Sequence, residues 1–278
     1  MPFFEDIDAL GVVEDHIQKV QRLEEEEAER VLSVYREIRG KLQDRLLVLP
    51  PDSFTAQQVR GVLLQVEGAI QAMSDSLLEQ MGFAFDAFTD TGISHLRREV
   101  EAFDEHFRGA VVPINIDAVL VATDNRNFLF NRYEASIAAY SADLRSMLAT
   151  GITEMIAQEA GKERTITQLG RFFLGEQWKL RRIIRTELHH IYGAAKQRSM
   201  KSLIDTEQLP DLKKALVHPM DHRTANDSKA LAVENPIVEV DEPFRFKWRG
   251  EWRVFMFPPD RPNDRAICVP YRDAWGAP

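Results

Sequence analysis

The stretch FRFKWRGEWRVFMF, residues 244–257, alternates large apolar and basic side chains on either side of a glycine. This alternation predicts a β-hairpin, and a two-residue turn at Gly250 and Glu251 sets its register. The turn predicts two aromatic cross-strand pairs, Phe246 with Phe255 and Phe244 with Phe257. The basic side chains then share the opposite face: Arg245, Lys247 and Arg249. The aromatic face is interpreted as core, with stacking on the bases of single-stranded nucleic acid as the alternative.

Short apolar runs separated by prolines continue on both sides of this hairpin, from about Thr206 onward. These runs predict strands at 215–218, 237–240, 244–248, 252–257 and 266–269. Before Thr206, apolar residues recur at three- and four-residue steps, which is typical of helices. The sequence therefore predicts an α+β fold with an elongated, mostly helical N-terminal region, 1–160, and a C-terminal domain, 161–278, in which basic helices precede a small α+β unit.

The N-terminal region is predicted to begin with a long helical hairpin. Its first helix covers 7–49, and the acidic run 24–27 interrupts the apolar stripe, so this stretch is interpreted as a solvated arm. Whether the helix binds a partner or is a solvated helix of a bundle stays open. A proline loop then leads to a second helix from about Thr55 to Gly109, with interruptions at Gly82 and Gly92. The remaining helices are predicted at 117–122, 125–160, 165–174 and 176–204.

Composition excludes several classes of protein. No apolar run approaches the roughly 20 residues that a membrane span needs. The acidic start lacks the basic segment of a signal peptide. Cys268 is the only cysteine, so a disulfide or a cysteine-based zinc site within one chain is excluded, and its apolar strand predicts a buried, inert thiol. We therefore expect assembly in a reducing cytoplasm, with no cofactor.

Positive charge is concentrated in one segment of a chain whose net charge is -9. Residues 161–202 contain ten bases and three acids. An anionic partner is therefore expected there, either DNA phosphates or an acidic protein surface, and a solvated helix face is the alternative. The candidate contact residues are Arg181, Arg182, Arg185, Lys196, Arg198 and Lys201.

A series of short motifs runs in order through the last third of the chain. They are Arg185-Thr186-Glu187, Asp221-His222-Arg223-Thr224, Pro243-Phe244, Gly250, Pro258-Pro259, Asn263-Asp264-Arg265-Ala266 and Val269-Pro270. In order and spacing this series resembles the Mu F-like phage head-morphogenesis family, also called minor head or minor capsid proteins. Asp264 and Ala266 stand where the family has cysteines, and Asp227-Ser228 stands where it has Ser-His. A metal or redox role is therefore not carried over to this chain.

The resemblance implies a virion protein present in few copies and acting in phage head assembly. Such a protein is expected inside the capsid near the portal, and in the host cytoplasm during assembly. Its expected partners are the portal protein, the inner surface of the major capsid protein and packaged double-stranded DNA, bound without sequence preference. The implied role is in DNA packaging or ejection, with no membrane partner during assembly.

An enzyme is the alternative from a different class, as a metal-dependent nuclease or a head-maturation hydrolase. Histidines suggest a metal site at His189-His190, or at His218 with Asp221 and His222, but they lack the spacing of a ligand set. Asp221, Arg223, Thr224 and Asp227 resemble a polar catalytic cluster. Turn capping explains that cluster more simply, so no catalytic or metal-binding residue is predicted. A scaffold-like chaperone, lost from the mature particle, is a third interpretation.

Overall fold

The computed structural model of the chain describes residue 4 and residues 10–219, 224–234, 236–262 and 264–276. Within these residues four long helices come first: α1, Val12–Leu47; α2, Val59–Arg108; α3, Ala118–Ala157; and α4, Gly161–Asp205. The later elements are β1, Lys213–Val217; α5, Asn226–Glu234; β2, Ile237–Glu239; β3, Phe244–Trp248; β4, Glu251–Phe255; β5, Ile267–Tyr271; and α6, Asp273–Gly276. The fold is therefore α+β, as predicted.

The chain forms two compact units. Unit 1 consists of Met1–Glu25, Ala84–Leu129 and Arg185–Pro278, and unit 2 consists of Glu26–Phe83 and Phe130–Ile184. Unit 1 holds all the described strands, whereas the described elements of unit 2 are helical. These limits differ from the division into an N-terminal region, 1–160, and a head-morphogenesis domain, 161–278, which stays a prediction.

The apolar stripe of α1 is buried instead of forming a solvated arm. Its residues are at most 9% exposed: Val13, Ile17, Val20, Val31, Tyr35, Ile38, Leu42 and Leu46. Glu24, in the acidic run that suggested the arm, is also buried, and its Oε1 is hydrogen-bonded to Nδ1 of His189 at 2.5 Å within unit 1. The prediction of a solvated arm was wrong, because a core tolerates a carboxylate that has a buried partner.

The long helices do not break where breaks were predicted, whether at a glycine or, in α3, at Thr123 and Asp124. Helix α2 runs through Gly82 and Gly92, and α3 and α4 are each one helix instead of two. An interior glycine costs only about 1 kcal/mol relative to alanine, which the packing of such long helices outweighs. Gly92 also permits close packing, since a Cβ there would lie 2.9 Å from both Ala195 Cβ and Tyr192 O. None of the described helices is long and apolar enough to cross a membrane.

Strand β1 is the centre of an antiparallel sheet with the order β2-β1-β5. Ala215 lies opposite Ile237 on one side and Val269 on the other. Cys268 lies opposite Leu216 and is buried, as predicted, and burial raises the pKa of its thiol to about 12. Consecutive residues are buried in β1 and in β5, so both faces of this sheet contribute to the core of the small α+β part.

Strands β3 and β4 form the predicted hairpin in a different register. The observed cross-strand pairs include Phe244 with Phe255 and Phe246 with Arg253. The turn is Arg249-Gly250, with φ of 51° and 91°, and two positive φ values are typical of a type I′ turn. The predicted turn at Gly250-Glu251 was therefore one residue too late. The resulting shift of two residues leaves each side chain on its predicted face.

Candidate nucleic-acid interface and the motif residues

Lys196 does not lie on the predicted contact surface. Its side chain is fully buried in unit 1, and its Nζ lies 2.6 Å from both carboxylate oxygens of Glu99. The predicted contact of Lys196 with DNA or a protein partner was wrong, because its side of α4 faces the core. A count of charges along the sequence does not distinguish the buried side of a helix from its exposed side.

Arg181 and Arg185 are engaged by acidic side chains of the same unit. In unit 2, Arg181 is ion-paired with Glu29. In unit 1, Arg185 lies 3.8 Å from Glu24 and 3.7 Å from Glu25. The charge of each arginine is therefore largely balanced by these glutamates of α1.

Arg198 and Lys201 also have partners in unit 1. Arg198 donates a hydrogen bond to Asn125 Oδ1 at 2.6 Å, and burial lowers the pKa of its guanidinium. Lys201 is largely solvent-accessible and lies 3.2 Å from Asp205 and 3.1 Å from Asp241. Both residues are better explained as local structural contacts than as a free anion-binding patch.

Arg182 is half-buried at the end of an exposed face of α4 in unit 2 that charge counting does not single out. We call this the α4 basic face; its residues recur at three- to seven-residue steps: Arg164, Arg171, Leu174, Trp178 and Arg182. Trp178 is 56% exposed, and the Arg182 guanidinium lies 5.0 Å from its ring centre. The opposite side of this helix segment is buried through Leu169, Phe173 and Leu180. This buried stripe was the sequence signal that identifies the exposed face.

Two arginines of the α4 basic face are available to an anion. Arg164 and Arg171 are exposed and make no ion pair within the described part of the chain. They lie two helical turns apart, about 10 Å along the axis. The α4 basic face itself includes no acidic residue. Its geometry therefore suits several phosphates of one nucleic-acid backbone better than a single small anion.

The motif segments that carry the resemblance meet in unit 1. Two residues after Glu187, Nε2 of His189 is hydrogen-bonded to Ala266 O at 2.7 Å. A Cβ on Gly193 would lie 2.5 Å from Pro258 O, so only glycine allows this contact between α4 and the Pro258-Pro259 segment. Asp221, Arg223 and Asn263 of the motifs lie outside the described residues, as does His222. The other motif residues not yet placed are Thr186, partly buried in α4; Pro243, before β3; and Pro270, buried in β5.

A polar pocket of about 150 Å³ lies between two of these motif segments. The Thr224 hydroxyl is hydrogen-bonded to Pro219 O, and Arg265 donates to Thr224 Oγ1 at 3.4 Å. Arg261 donates to Ser228 Oγ at 2.6 Å. The hydroxyl groups of this pocket therefore stabilise the local backbone and the arginines.

Asp264 caps the backbone at a position where the family has a cysteine. Its carboxylate accepts hydrogen bonds from the backbone N–H groups of Asp260 and Ala266, both at 3.2 Å. Burial, together with the nearby charge of Asp264, raises the pKa of Asp260. Burial also lowers the pKa of His218, which lines the same pocket.

Sequence reasoning missed a buried network of ionisable side chains in unit 1. Glu99 accepts from Lys196 and lies 2.8 Å from Nδ1 of His16. The His16 ring stacks on His95 at 3.7 Å, and Nδ1 of His95 lies 3.1 Å from the Tyr192 hydroxyl. Burial, followed by the charge of His16, lowers the pKa of His95 to about 2. Only the fold reveals this cluster, because its members come from three separate helices.

The stability of unit 1 is expected to fall in acid because of His95. A histidine whose pKa is depressed in the folded state contributes stability above its unfolded pKa of about 6.5, and the contribution is lost as the pH falls toward 2. His95→Phe keeps a ring for stacking but cannot take up a proton. Hydrogen exchange of unit 1 in urea at pH 7.5 and pH 5 should show a smaller acid loss for His95→Phe than for the parent. His106→Phe, at an exposed histidine, is the control and should behave as the parent does. Equal acid losses in the parent and in His95→Phe would contradict this role of His95.

Histidine ligands for a metal do not come together in the described residues. These residues include no group of three or more His, Cys, Asp or Glu side chains that could hold a metal ion. At His189 both ring nitrogens are already engaged, by Glu24 and Ala266 O. The expectation of a protein without a metal stays a prediction.

The chain matches no protein-family model, no curated protein and no solved structure. Membership of the head-morphogenesis family therefore stays a prediction.

Proposed function

We propose that this chain is a minor structural protein of a tailed-phage head, positioned inside the capsid near the portal vertex. The observation that supports this proposal is the packing of α4, the helix that carries Arg185-Thr186-Glu187, against the distant motif segments Pro258-Pro259 and 263–266. His189 reaches Ala266, and Gly193 lies against Pro258. A chance series of short motifs gives no reason for its segments to touch, whereas a shared domain architecture does. The protein acts in head assembly and in DNA packaging or ejection.

Its proposed partners are the portal protein, the inner surface of the major capsid protein and packaged double-stranded DNA. The α4 basic face supports the DNA contact, since Arg164 and Arg171 are exposed and Trp178 lies between them and Arg182. Contacts to phosphates carry no sequence information, so binding is non-specific. Because the net charge of the chain is -9, the rest of the protein repels DNA, and the attraction is limited to this face.

A structural role is favoured over a metal-dependent nuclease or a head-maturation hydrolase by the partners of two carboxylates, Asp264 in the pocket and Asp227 next to its lining residue Ser228. Asp227 lies 2.8 Å from both Arg253 and Arg261. The Asp264 carboxylate accepts hydrogen bonds from two backbone N–H groups. A carboxylate already neutralised by arginines, or already hydrogen-bonded through both oxygens to the backbone, is a poor ligand for Mg²⁺.

Quantitative mass spectrometry of purified filled heads and empty precursor heads tests this proposal. The chain should be present in both, at a few copies per particle. Presence in precursors alone would identify a scaffold-like chaperone instead. Absence from both would contradict a role in the head.

A further inference from the structure

One face of the β3–β4 hairpin carries large apolar side chains that remain more than one-third exposed. Trp252, Val254 and Met256 alternate along β4 and the residue after it, and they are 65%, 52% and 37% exposed. The opposite face is already packed, since Phe244 and Phe246 are 0% and 4% exposed. The exposed row therefore lies on the side of the hairpin that faces away from the core. Packing in the core does not explain why these side chains are apolar.

The neighbouring strand adds a row of cations to the same face. Arg245 pairs with Val254 across the hairpin, and Lys247 pairs with Trp252. Lys247 Nζ lies 5.8 Å from the Trp252 ring centre. Neither Arg245 nor Lys247 has a carboxylate within 4 Å among the described residues. The apolar row on β4 and the cationic row on β3 thus lie side by side on adjacent strands.

We propose that this outer hairpin face, defined by Arg245, Lys247, Trp252, Val254 and Met256, docks a protein segment that presents apolar side chains flanked by carboxylates. The apolar side chains of the partner cover the row on β4, and its carboxylates meet the cations on β3. Contiguous exposed apolar patches edged by polar groups mark interaction sites in soluble proteins. Tryptophan and arginine are also the residues most enriched at binding hot spots.

The composition of the face favours a protein partner over single-stranded nucleic acid. Proteins that bind single strands stack successive bases on several aromatic rings. The row on β4 has one aromatic ring, Trp252, followed by the aliphatic side chains Val254 and Met256. Aliphatic surface gains most from burial against another apolar side chain. This inference does not depend on the proposed role in a phage head.

The test screens the intact chain against a library of random twelve-residue peptides and then measures the affinity of the strongest binder by titration. One variant, Trp252→Ser with Val254→Ser, removes the apolar row, and another, Arg245→Glu with Lys247→Glu, reverses the cationic row. Val119→Ser with Leu120→Ser is the matched control, since these residues are 77% and 53% exposed elsewhere in unit 1. We expect enriched peptides to combine apolar residues with Asp or Glu. Each hairpin variant should bind them at least about thirtyfold more weakly than the parent or the control.

Several outcomes would overturn the proposal. These are a library without a binder, enrichment of basic peptides, or peptides that bind the hairpin variants as tightly as the parent. A short oligothymidylate is titrated in parallel. If Trp252→Ser with Val254→Ser abolishes oligothymidylate binding and no peptide binds the parent, the outer hairpin face binds single-stranded nucleic acid. If sedimentation shows self-association that only the hairpin variants lose, the occupant is a second copy of the chain.

Discussion

Lys196→Met is expected to destabilise unit 1 by about 3–5 kcal/mol, the usual cost of removing one partner of a buried ion pair. Lys196 and Glu99 are both fully buried, with Nζ 2.6 Å from each carboxylate oxygen. Methionine fills a similar volume, so the loss comes from a buried carboxylate that keeps only His16 as a described partner, and not from a cavity. Hydrogen exchange of the amides of 185–205, followed at increasing urea, reports the stability of unit 1 by itself.

Two further variants separate charge from packing in this experiment. Adding Glu99→Gln to Lys196→Met removes the buried charge and should recover a large part of the lost stability. Lys201→Met changes an exposed cation on the same helix and should stay within about 0.5 kcal/mol of the parent. A single Lys196→Met variant as stable as the parent would show that the ion pair does not form in the folded chain.

Removing the arginines of the α4 basic face is expected to abolish most of the DNA affinity of the chain. The variant carries Arg164→Gln, Arg171→Gln and Arg182→Gln. Counterion release gives a log–log salt slope of about -0.9 for each phosphate neutralised on duplex DNA. The slope of the variant should therefore be shallower by about 2 to 3 units, and the loss should be equal for all sequences. Fluorescence anisotropy with two unrelated duplexes over a range of salt concentrations measures both quantities.

A matched control distinguishes the α4 basic face from net charge alone. Arg36→Gln, Lys41→Gln and Arg45→Gln remove the same number of cations from exposed positions of α1. This control should retain the salt slope of the parent, apart from a small uniform loss of affinity. If the two triple variants weaken binding equally, the α4 basic face is a solvated surface and the DNA contact lies elsewhere or does not exist.

The fold class and the faces of the hairpin were predictable because they follow from side-chain periodicity. Alternation about Gly250 places Phe244 and Phe246 on the buried face whichever turn is chosen, since a shift of two residues preserves the face. The register was not predictable, because it depends on which two residues take positive φ. Arg249 takes one of these positions in the structure, although glycine is the residue expected there.

The site residues were less predictable because they depend on contacts between distant segments. Lys196 belongs by sequence to the basic segment, yet its partner Glu99 lies 97 residues away and turns it into a core residue. Glu24 seemed to mark a solvated arm, yet His189 partners it inside unit 1. Arg164 and Arg171 are exposed because the apolar stripe of α4 points the other way, and that stripe was visible in the sequence. Helical periodicity would therefore have located this exposed face, which charge density did not.

The central claim is that this chain is built into the phage head near the portal. A cryo-electron microscopy reconstruction of the portal vertex in filled heads, calculated without imposed icosahedral symmetry, tests it most directly. The proposal predicts helical density inside the capsid beside the portal into which α1 to α4 fit, and loss of that density in heads assembled without the chain. Identical density in heads with and without the chain would contradict the proposal.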